Sequence, residues 1–401
     1  MKTKFPGYFK PSQIELNKLW MNGIITLDAN ILLNLYRYSD NTRDEFLKIL
    51  EKVKDRVWIP NQSAYEFFEN RLNVISQQEK AYEEAVSSLN SIEQEFKNSR
   101  QHPFISEKLL NKFSDLTKEI FIELNKNKES HNNRILQDDI LDKLETLFEN
   151  KVGDGFTAEE IEKLKVIGEE RFNKKIPPGF KDSGKKDSTD NNIRQYGDFF
   201  VWQQILNKSK ELGKGVILVT DDRKEDWWVR FKGKTLQPRP ELIKEFIEFT
   251  NNDFNMYQSD RFLEFAQNYL NQEINQKAIN EIRELRKLDE ERRLMEVRRQ
   301  RERMKYLHMR ENLMMERIKI EQELKHLNES KELHKDKLKE QYLILENSDP
   351  SAFDDRPMSL LNHELSTLLF KEQELENRLK SLEKYELNMN RRKSLHNKAY
   401  E

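Results

Sequence analysis

Residues 215–222, GVILVTDD, form a short apolar run that a glycine opens and two aspartates close. A run of this length and composition predicts a strand buried on both faces, as strands of parallel sheets are. The stretch IITLDAN, at residues 24–30, has the same form. Ionised carboxylates are costly to bury unless they are paired or coordinated. Acids at the ends of two buried strands therefore predict a shared partner, and a cation is preferred here over water or a basic side chain.

The chain around these two stretches alternates strands with helices. Apolar residues at helical spacing follow the first stretch, and RVWIP at 56–60 predicts a second strand that proline ends. Helices are predicted from about residue 62, over 198–212 and over 241–249, and the run 254–257 could complete the sheet. This alternation predicts an α/β fold with a mainly parallel central sheet, whose ligand crevice lies beyond the carboxyl ends of the strands.

Two further acids interrupt apolar surroundings. PNQSAYEF, at 60–67, places Glu66 in the first turns of a helix, and YGDFF, at 196–200, places Asp198 at the start of another. Taken singly, an aspartate after a strand is most often a helix N-cap, and Glu66 has alternative salt-bridge partners in Arg71 and Arg37. Taken together and in this order, the acids favour a metal site.

Length and composition predict two parts. The 401 residues exceed one ordinary domain, and 35% charged residues with a mean hydropathy of -0.93 indicate a long solvated segment. We predict an α/β domain over 1–268, with a helical insertion at about 76–170 and a long loop over 174–197. Residues 269–401 are predicted to form a long helical, coiled-coil hairpin that breaks near 348–351 and suits self-association or a protein partner.

Charge and cysteine content limit the remaining classes. The formal net charge is -2, so any contact with a polyanion depends on local basic patches. The sequence has no cysteine, which excludes disulfides, thiolate nucleophiles and zinc-thiolate sites and fits a reducing compartment. No apolar stretch approaches a membrane span, and a secretory leader is not recognisable, so we expect a cytoplasmic protein without a membrane partner.

Basic and aromatic residues near the acids offer a nucleic-acid surface. Those that could contact phosphates are Lys181, Lys185, Lys186, Arg194, Arg223 and Lys224, with a solvated loop as the alternative. Trp227 and Trp228 are interpreted as packing residues at a helix start rather than as base-stacking platforms. The arginines of residues 292–305 are interspersed with glutamates, which favours a solvated helix over a nucleic-acid stripe.

At these motifs the sequence resembles the PIN-like family of bacterial nuclease domains. The segments that carry the resemblance are IITLDANILLNLYRYS, WIPNQSAYEFFENR, KIPPGFKDS, YGDFFVWQQI and ILVTDDRKEDWW. The resemblance covers residues 1 to about 268, and the acidic motifs occur in the family's order. It implies a PIN-like three-layer fold and metal-dependent cleavage of phosphodiester bonds.

The resemblance also implies a role for each acid. Asp28 matches the family's first-strand acid, Glu66 its second-helix acid, Asp198 its third acid and Asp222 its fourth, while Asp221 occupies the position of the usual asparagine. Which of Asp221 and Asp222 approaches a metal therefore stays open at this point.

Four carboxylates suit two divalent cations about 4 Å apart, which activate water and stabilise the leaving oxygen during hydrolysis at phosphorus. Asp28 is expected to be the central ligand, with Asn30 and Thr220 orienting neighbouring groups by hydrogen bonds. Asp182 is expected to be a turn residue or an assisting ligand. Mg²⁺ or Mn²⁺ is expected because the donors are oxygens and the sequence offers no thiolate.

The resulting prediction is a metal-dependent nuclease, an endoribonuclease by class, with RNA favoured over single-stranded DNA by resemblance. The alternative is a non-catalytic metal- or nucleic-acid-binding assembly protein that acts through its helical tail. A phosphatase of the haloacid-dehalogenase type would need an acid where Asn30 stands. A role in bacterial defence against phage, or as a toxin-like effector, is a hypothesis from the resemblance and the architecture.

Overall fold

The two strands predicted from the sequence lie side by side at the centre of one parallel sheet in the computed structural model. The structure describes residues 1–2, 4–98, 105–182, 184, 193–346 and 356–398. Its strands are β1 (Ile24–Leu27), β2 (Val57–Trp58), β3 (Val216–Val219), β4 (Trp228–Phe231), β5 (Lys234–Pro238) and β6 (Phe254–Tyr257). Their order in the main sheet is β2-β1-β3-β6, and every neighbouring pair is parallel. The predicted α/β fold with a central parallel sheet is confirmed.

Ten helices of the described chain precede residue 271. They are α1 (Gln13–Asn22), α2 (Ala29–Asn34), α3 (Asp40–Lys52), α4 (Asn61–Lys97), α5 (Glu107–Asn133), α6 (Asp139–Phe148), α7 (Ala158–Asn173), α8 (Gly197–Leu212), α9 (Pro240–Thr250) and α10 (Ser259–Leu270). Two long helices follow, α11 (Gln276–Glu346) and α12 (Arg356–Lys398).

Helices cover both faces of the sheet, which explains why every residue of β1 and β3 is buried. Successive side chains of a strand point to opposite faces. Ile25, Leu27, Ile217 and Val219 join one core, together with residues of α2, α3, α4, α6 and α10. Ile24, Val216 and Leu218 join a second core with residues of α8 and α9. The register aligns Leu27 with Val219, so that the acids after β1 and β3 start from the same edge.

The predicted insertion, at about 76–170, is helical, but part of it belongs to the core. Ionic and polar contacts join α4 to α5, such as Lys128 with Glu83 at 2.6 Å. The helix α6 buries Ile140 and Leu144 in the first core. Just beyond α6, the backbone of residues 151–153 bonds to Ile59 in a parallel bridge that extends the sheet beside β2. The apolar spacing of α6 therefore serves the α/β domain itself.

The segment after Asp222 differs from the prediction. Trp227 and Trp228 do not begin a helix, because Trp228 begins β4, which forms an antiparallel hairpin with β5. Both indoles are buried, with 3% and 4% of their surface exposed, and they pack in the second core. The packing interpretation holds, and the indoles have no exposed face on which a base could stack.

The chain forms two compact units, Met1–Leu288 and Asp289–Glu401. The sequence prediction places the boundary at residue 268. Residues 269–288 pack with the first unit because Ile274, Ile279 and Ile282 lie in its first core. The boundary thus falls inside α11.

The second unit contains an antiparallel helical hairpin. Leu327 of α11 and Leu375 of α12 share a small apolar core, and Glu316 pairs with Arg378 at 2.7 Å. His334 and Glu364 lie 3.0 Å apart nearer the other end of the pair. The predicted break at residues 348–351 lies outside the described residues. Among the described helices, none combines the length and apolarity needed to cross a bilayer.

Candidate active site

Asp28 stands at the carboxyl end of β1. One carboxylate oxygen accepts a hydrogen bond from the backbone amide of Ala29 at 2.7 Å, so Asp28 caps α2. The other oxygen accepts from the Asn30 side-chain amide at 2.5 Å and from the Thr220 hydroxyl at 2.6 Å. The N-cap role that the sequence offered as an alternative is present, and it uses only one of the two oxygens.

Asn30 and Thr220 connect the ends of β1 and β3. The side-chain amide of Asn30 also donates to the Thr220 hydroxyl at 3.1 Å, and its oxygen accepts from the backbone amide of Asp221 at 3.0 Å. The Thr220 hydroxyl in turn accepts from the backbone amide of Asp222 at 3.0 Å. These bonds fix Asp28 relative to the turn that carries the next two acids.

Lys224 lies at the centre of three of the acids. Its ammonium nitrogen is 2.8 Å from Asp182, 2.8 Å from Asp198 and 2.9 Å from Asp222. The backbone amide of Lys224 also donates to Asp222 at 2.8 Å, which holds the turn after β3. Asp182 comes from a short helical turn, Phe180–Asp182, and Asp198 from the first turn of α8. Residues far apart in the sequence thus converge on one half-buried cation.

Negative charge exceeds positive charge around these acids. Burial raises the pKa of Asp28 to about 7, assisted by the charges of Glu66 and Asp222 and opposed by the hydrogen bond from Thr220. Burial also raises the pKa of Asp198, against the influence of Lys224 and with that of Asp222 and Asp182. The pKa of Lys224 is raised because the three carboxylates outweigh the effect of its burial, so Lys224 stays charged.

Glu66 approaches the same region from α4. Its carboxylate accepts a hydrogen bond from Gln62 at 2.8 Å. A Cβ atom added to Gly197 would lie 2.6 Å from a Glu66 oxygen, so glycine lets Glu66 reach the first turn of α8 beside Asp198. Arg71, one of its two alternative salt-bridge partners, instead pairs with Asp138, the N-cap residue of α6.

Asp221 faces a different set of partners from Asp222. Its carboxylate accepts hydrogen bonds from the amide and hydroxyl of Ser259, at 3.0 and 2.8 Å, and from Asn34 at 3.1 Å. The Nε atom of Arg286, in the early turns of α11, lies 3.2 Å from it. Arg286 also pairs with Asp260. Asp221 therefore joins β3 to α2, α10 and α11, while Asp222 joins the cluster around Lys224.

A contribution that the sequence analysis missed comes from Asp226. Its carboxylate accepts hydrogen bonds from the backbone amides of Gly179 and Lys181, each at 3.0 Å. These bonds hold the turn that presents Asp182. Gly179 has φ +94°, a conformation that residues other than glycine rarely adopt, and an added Cβ would lie 3.0 Å from the Phe172 ring. The available signal was a third aspartate in the segment TDDRKED.

Three of the described residues that were predicted to bind phosphate contact carboxylates. Lys181 pairs with Glu225 at 2.8 Å, and Arg194 lies 3.7 Å from Glu69. Lys185 and Lys186 lie outside the described residues. Lys224 contacts carboxylates, as described above.

Arg223, the remaining member of that set, lies on the side of Arg286. Burial lowers the pKa of Arg286, and the positive charge of Arg223 lowers it further, against the influence of Asp221. That Arg223 binds phosphate stays a prediction.

The donor set suits a hard divalent cation. In the part of the chain that the structure describes, no three carboxylate or histidine side chains are arranged as they stand to ligate one metal ion. Where three carboxylates converge, the Lys224 ammonium lies between them. The donors are nonetheless oxygens, and burial, assisted by neighbouring carboxylates, raises the pKa values of Asp28 and Asp198. Oxygen donors and excess negative charge are the conditions that Mg²⁺ and Mn²⁺ favour.

Comparison with protein families matches more than half of the chain. The family model described as a PIN like domain matches residues 24–242. The matched range runs from β1 into α9 and includes Asp28, Glu66, Asp198 and Asp222. Comparisons with curated proteins and with solved structures gave no match.

Proposed function

Because the chain belongs to the PIN-like domain family, we propose that its first unit is a metal-dependent nuclease that hydrolyses phosphodiester bonds. The observation that carries the proposal is the meeting of Asp28 and Asp222 at one sheet edge, joined through Thr220. Asp198 and Glu66 approach that edge from two helices. Ligands of parallel sheets bind beyond the carboxyl ends of the strands, which is where these acids lie.

Asp28, Glu66 and Asp222 are the residues proposed to hold a divalent cation. Asp222 is preferred to Asp221 because the Asp221 carboxylate is engaged by Ser259, Asn34 and Arg286. A bound cation would polarise the phosphate and lower the pKa of the attacking water. The protein's own contribution is rigid placement: the hydrogen bonds from Asn30 and Thr220 hold Asp28 before any cation or substrate arrives.

Two exposed aromatic residues support a single-stranded substrate. Tyr65 and Phe68 flank Glu66 on α4, and 58% and 59% of their surface is exposed. The buried face of α4 carries other residues, such as Phe67 and Ile75, so these two rings are not required by the core. Exposed rings bind unstacked bases without strong sequence preference. RNA is proposed ahead of single-stranded DNA on the family resemblance.

The test is cleavage of end-labelled RNA and single-stranded DNA with Mg²⁺, Mn²⁺ or EDTA. Cleavage that needs a divalent cation and is lost in Asp28→Asn would support the nuclease and identify its substrate. Asp55→Asn is the matched control, because Asp55 is an exposed acid at the other end of the sheet, before β2. Full turnover by Asp28→Asn would refute the assignment. Binding without cleavage under every condition would favour the non-catalytic assembly protein.

The helical hairpin supports a further proposal, association with another copy of the chain or with a protein partner. Leu294, Met295 and Met304 on α11 each expose more than half of their surface. Large exposed apolar side chains on a helix are a common feature of association surfaces. Light scattering should show fewer chains per assembly for residues 1–288 than for the whole chain. Equal numbers of chains per assembly would contradict self-association through the hairpin.

A role in bacterial defence or as a toxin-like effector rests on family resemblance and architecture alone. Phage plating on cells that express the protein or Asp28→Asn tests defence, since protection should need the carboxylate. Equal plating on both would count against it.

A further inference from the structure

The cluster around Lys224 combines one cation with three carboxylates that come from three separate elements. The Asp182 turn, the start of α8 and the end of β3 each supply one acid within 2.9 Å of the ammonium nitrogen. The side chain of Lys224 is 18% exposed, and those of Asp182 and Asp222 are 8% and 14% exposed. The contacts are thus largely sheltered from water, where charge pairs are screened least.

Removal of Lys224 from this position would leave three sheltered carboxylates without their shared counter-charge. A buried charge that loses its partner destabilises a protein strongly. A divalent cation that entered at the same point would first have to displace the ammonium group and then compensate for its loss. The resident lysine is therefore expected to stay in place when a cation binds nearby.

The contacts of Asp28 are of a different kind. Its oxygens accept hydrogen bonds from the amide of Ala29, the side-chain amide of Asn30 and the hydroxyl of Thr220, all of which are uncharged donors. Glu66 and Asp222 lie close enough for their negative charges to act on it. The acids therefore form two groups. Lys224 neutralises the first group, whereas a bound cation would stabilise the negative charge of the second group, which is centred on Asp28. Asp222 belongs to both groups.

We propose that Lys224 takes the place of a second divalent cation, so that the domain binds a single divalent cation, on the Asp28 side of the cluster. This inference rests on the proposed function, because it concerns the same site, and it revises the two-cation expectation drawn from the sequence. In this arrangement Asp182 and Asp198 hold Lys224, whereas Asp28 and Glu66 hold the metal ion. Asp222 connects the two.

The test counts Mn²⁺ bound to the full-length chain without nucleic acid, by electron paramagnetic resonance at micromolar free Mn²⁺. The wild-type chain should bind a single ion, and Lys224→Met should bind a second one. Lys224→Arg keeps the charge and should still bind a single ion. Lys208→Met is the matched control, because Lys208 pairs with Glu211 on the same helix as Asp198 but outside the cluster; its count should equal that of the wild type.

A second pair of variants keeps the test decisive if Lys224→Met does not fold, as judged by circular dichroism. Asp28→Asn should abolish Mn²⁺ binding, and Asp182→Asn should leave the ion count unchanged, with the dissociation constant altered by less than about tenfold, the lower end expected for indirect effects on metal affinity. Two ions on the wild-type chain, an unchanged count in folded Lys224→Met, or loss of the ion in Asp182→Asn would each overturn the proposal.

The result separates this inference from the proposed function. A single Mn²⁺ ion without cleavage of any nucleic acid would support the role of Lys224 and refute the nuclease. Two ions with cleavage would support the nuclease and refute the role of Lys224. Absence of Mn²⁺ binding in the folded chain would overturn the inference directly.

Discussion

Asp28→Asn is expected to stabilise the fold above pH 7 in the absence of divalent cations, although it should abolish cleavage. Burial, with the charges of Glu66 and Asp222, raises the pKa of Asp28 from 3.8 to about 7. Between these values the folded chain keeps a proton that the unfolded chain has released. The free energy of unfolding therefore falls as the pH rises through this window, and the whole cost is present above pH 7. Asparagine carries no charge and avoids this cost.

The magnitude follows from the pKa difference and from the hydrogen bonds. A shift from 3.8 to about 7 corresponds to an upper limit of about 4 kcal/mol, at about 1.4 kcal/mol per pKa unit. Partial exposure of Asp28 allows water to screen part of this cost. The NH2 group of the new asparagine would also face a hydrogen-bond donor of Asn30 or Thr220. The hydrogen bond lost in this way would lower the free energy of unfolding by about 1 kcal/mol. We expect a net gain of about 1–2 kcal/mol at pH 8.

The assay is urea unfolding followed by tryptophan fluorescence, with EDTA, at pH 5 and pH 8. The gain of Asp28→Asn should be larger at pH 8 than at pH 5, where the ionised wild-type carboxylate is less populated. Asp55→Asn changes an exposed acid and should show no such difference. Equal or lower stability of Asp28→Asn at pH 8, or a gain that does not depend on pH, would refute the reasoning.

Three further predictions concern neighbouring parts of the first unit. Gly197→Ala should lower kcat/KM by about tenfold or more while the fold persists, because the added Cβ would displace the flexible Glu66 side chain from a position 2.6 Å away. Phe68→Ala should weaken binding of single-stranded RNA by roughly fivefold or more in fluorescence anisotropy, since stacking on a ring contributes about 1–3 kcal/mol per base. Arg286→Ala should lower the free energy of unfolding by about 3–5 kcal/mol in urea titration, because it leaves the buried Asp221 without its cation.

Each of these variants has a control of the same kind. Gly184→Ala adds a Cβ that meets no described atom within 4 Å, and it should leave kcat/KM unchanged. Phe249→Ala removes a partly exposed ring from α9, and its RNA binding should match that of the wild type. Arg283→Ala removes a guanidinium that is 49% exposed, and it should cost less than about 1 kcal/mol. Equal effects of a variant and its control would contradict the corresponding prediction.

The central sheet could be predicted because local pattern and sheet geometry agree there. A continuous apolar run between glycine and acids has few solutions other than a strand buried on both faces. Parallel pairing then brings the ends of β1 and β3 together, so Asp28 and Asp222 could be expected at one edge before any contact was known. The family model match covers this same part of the chain.

Side-chain contacts at that edge could not be predicted in the same way. Lys224 follows Asp222 by two positions, and no spacing rule states whether a flexible lysine turns back toward the acids or extends into water. Asp221 and Asp222 are equivalent in sequence, and only the positions of Ser259 and Arg286 distinguish them. Such choices depend on elements that are remote in the chain.

The β4–β5 hairpin was missed although its sequence carries a signal. Lys232 and Gly233 connect the two strands with φ values of 48° and 78°. Positive φ at both central residues is typical of the tight turn that best matches the twist of two antiparallel strands. The helical interpretation gave too much importance to the adjacent tryptophans and too little to the glycine that follows the lysine.

The beginning of α11 inside the first unit limits how this chain can be divided or recombined. Ile279 and Ile282 complete the first core, Glu281 accepts hydrogen bonds from Ser39 and Thr42 at the start of α3, and Arg286 neutralises Asp221. A fusion that replaced the chain after residue 268 would remove all of these contacts. It would also leave Asp221, next to Asp222, without Arg286. An exchange of the tail between related proteins is therefore expected to preserve the fold only when the junction lies beyond Leu288. Because that junction lies within the continuous helix α11, the two joined sequences must keep the same helical periodicity across it.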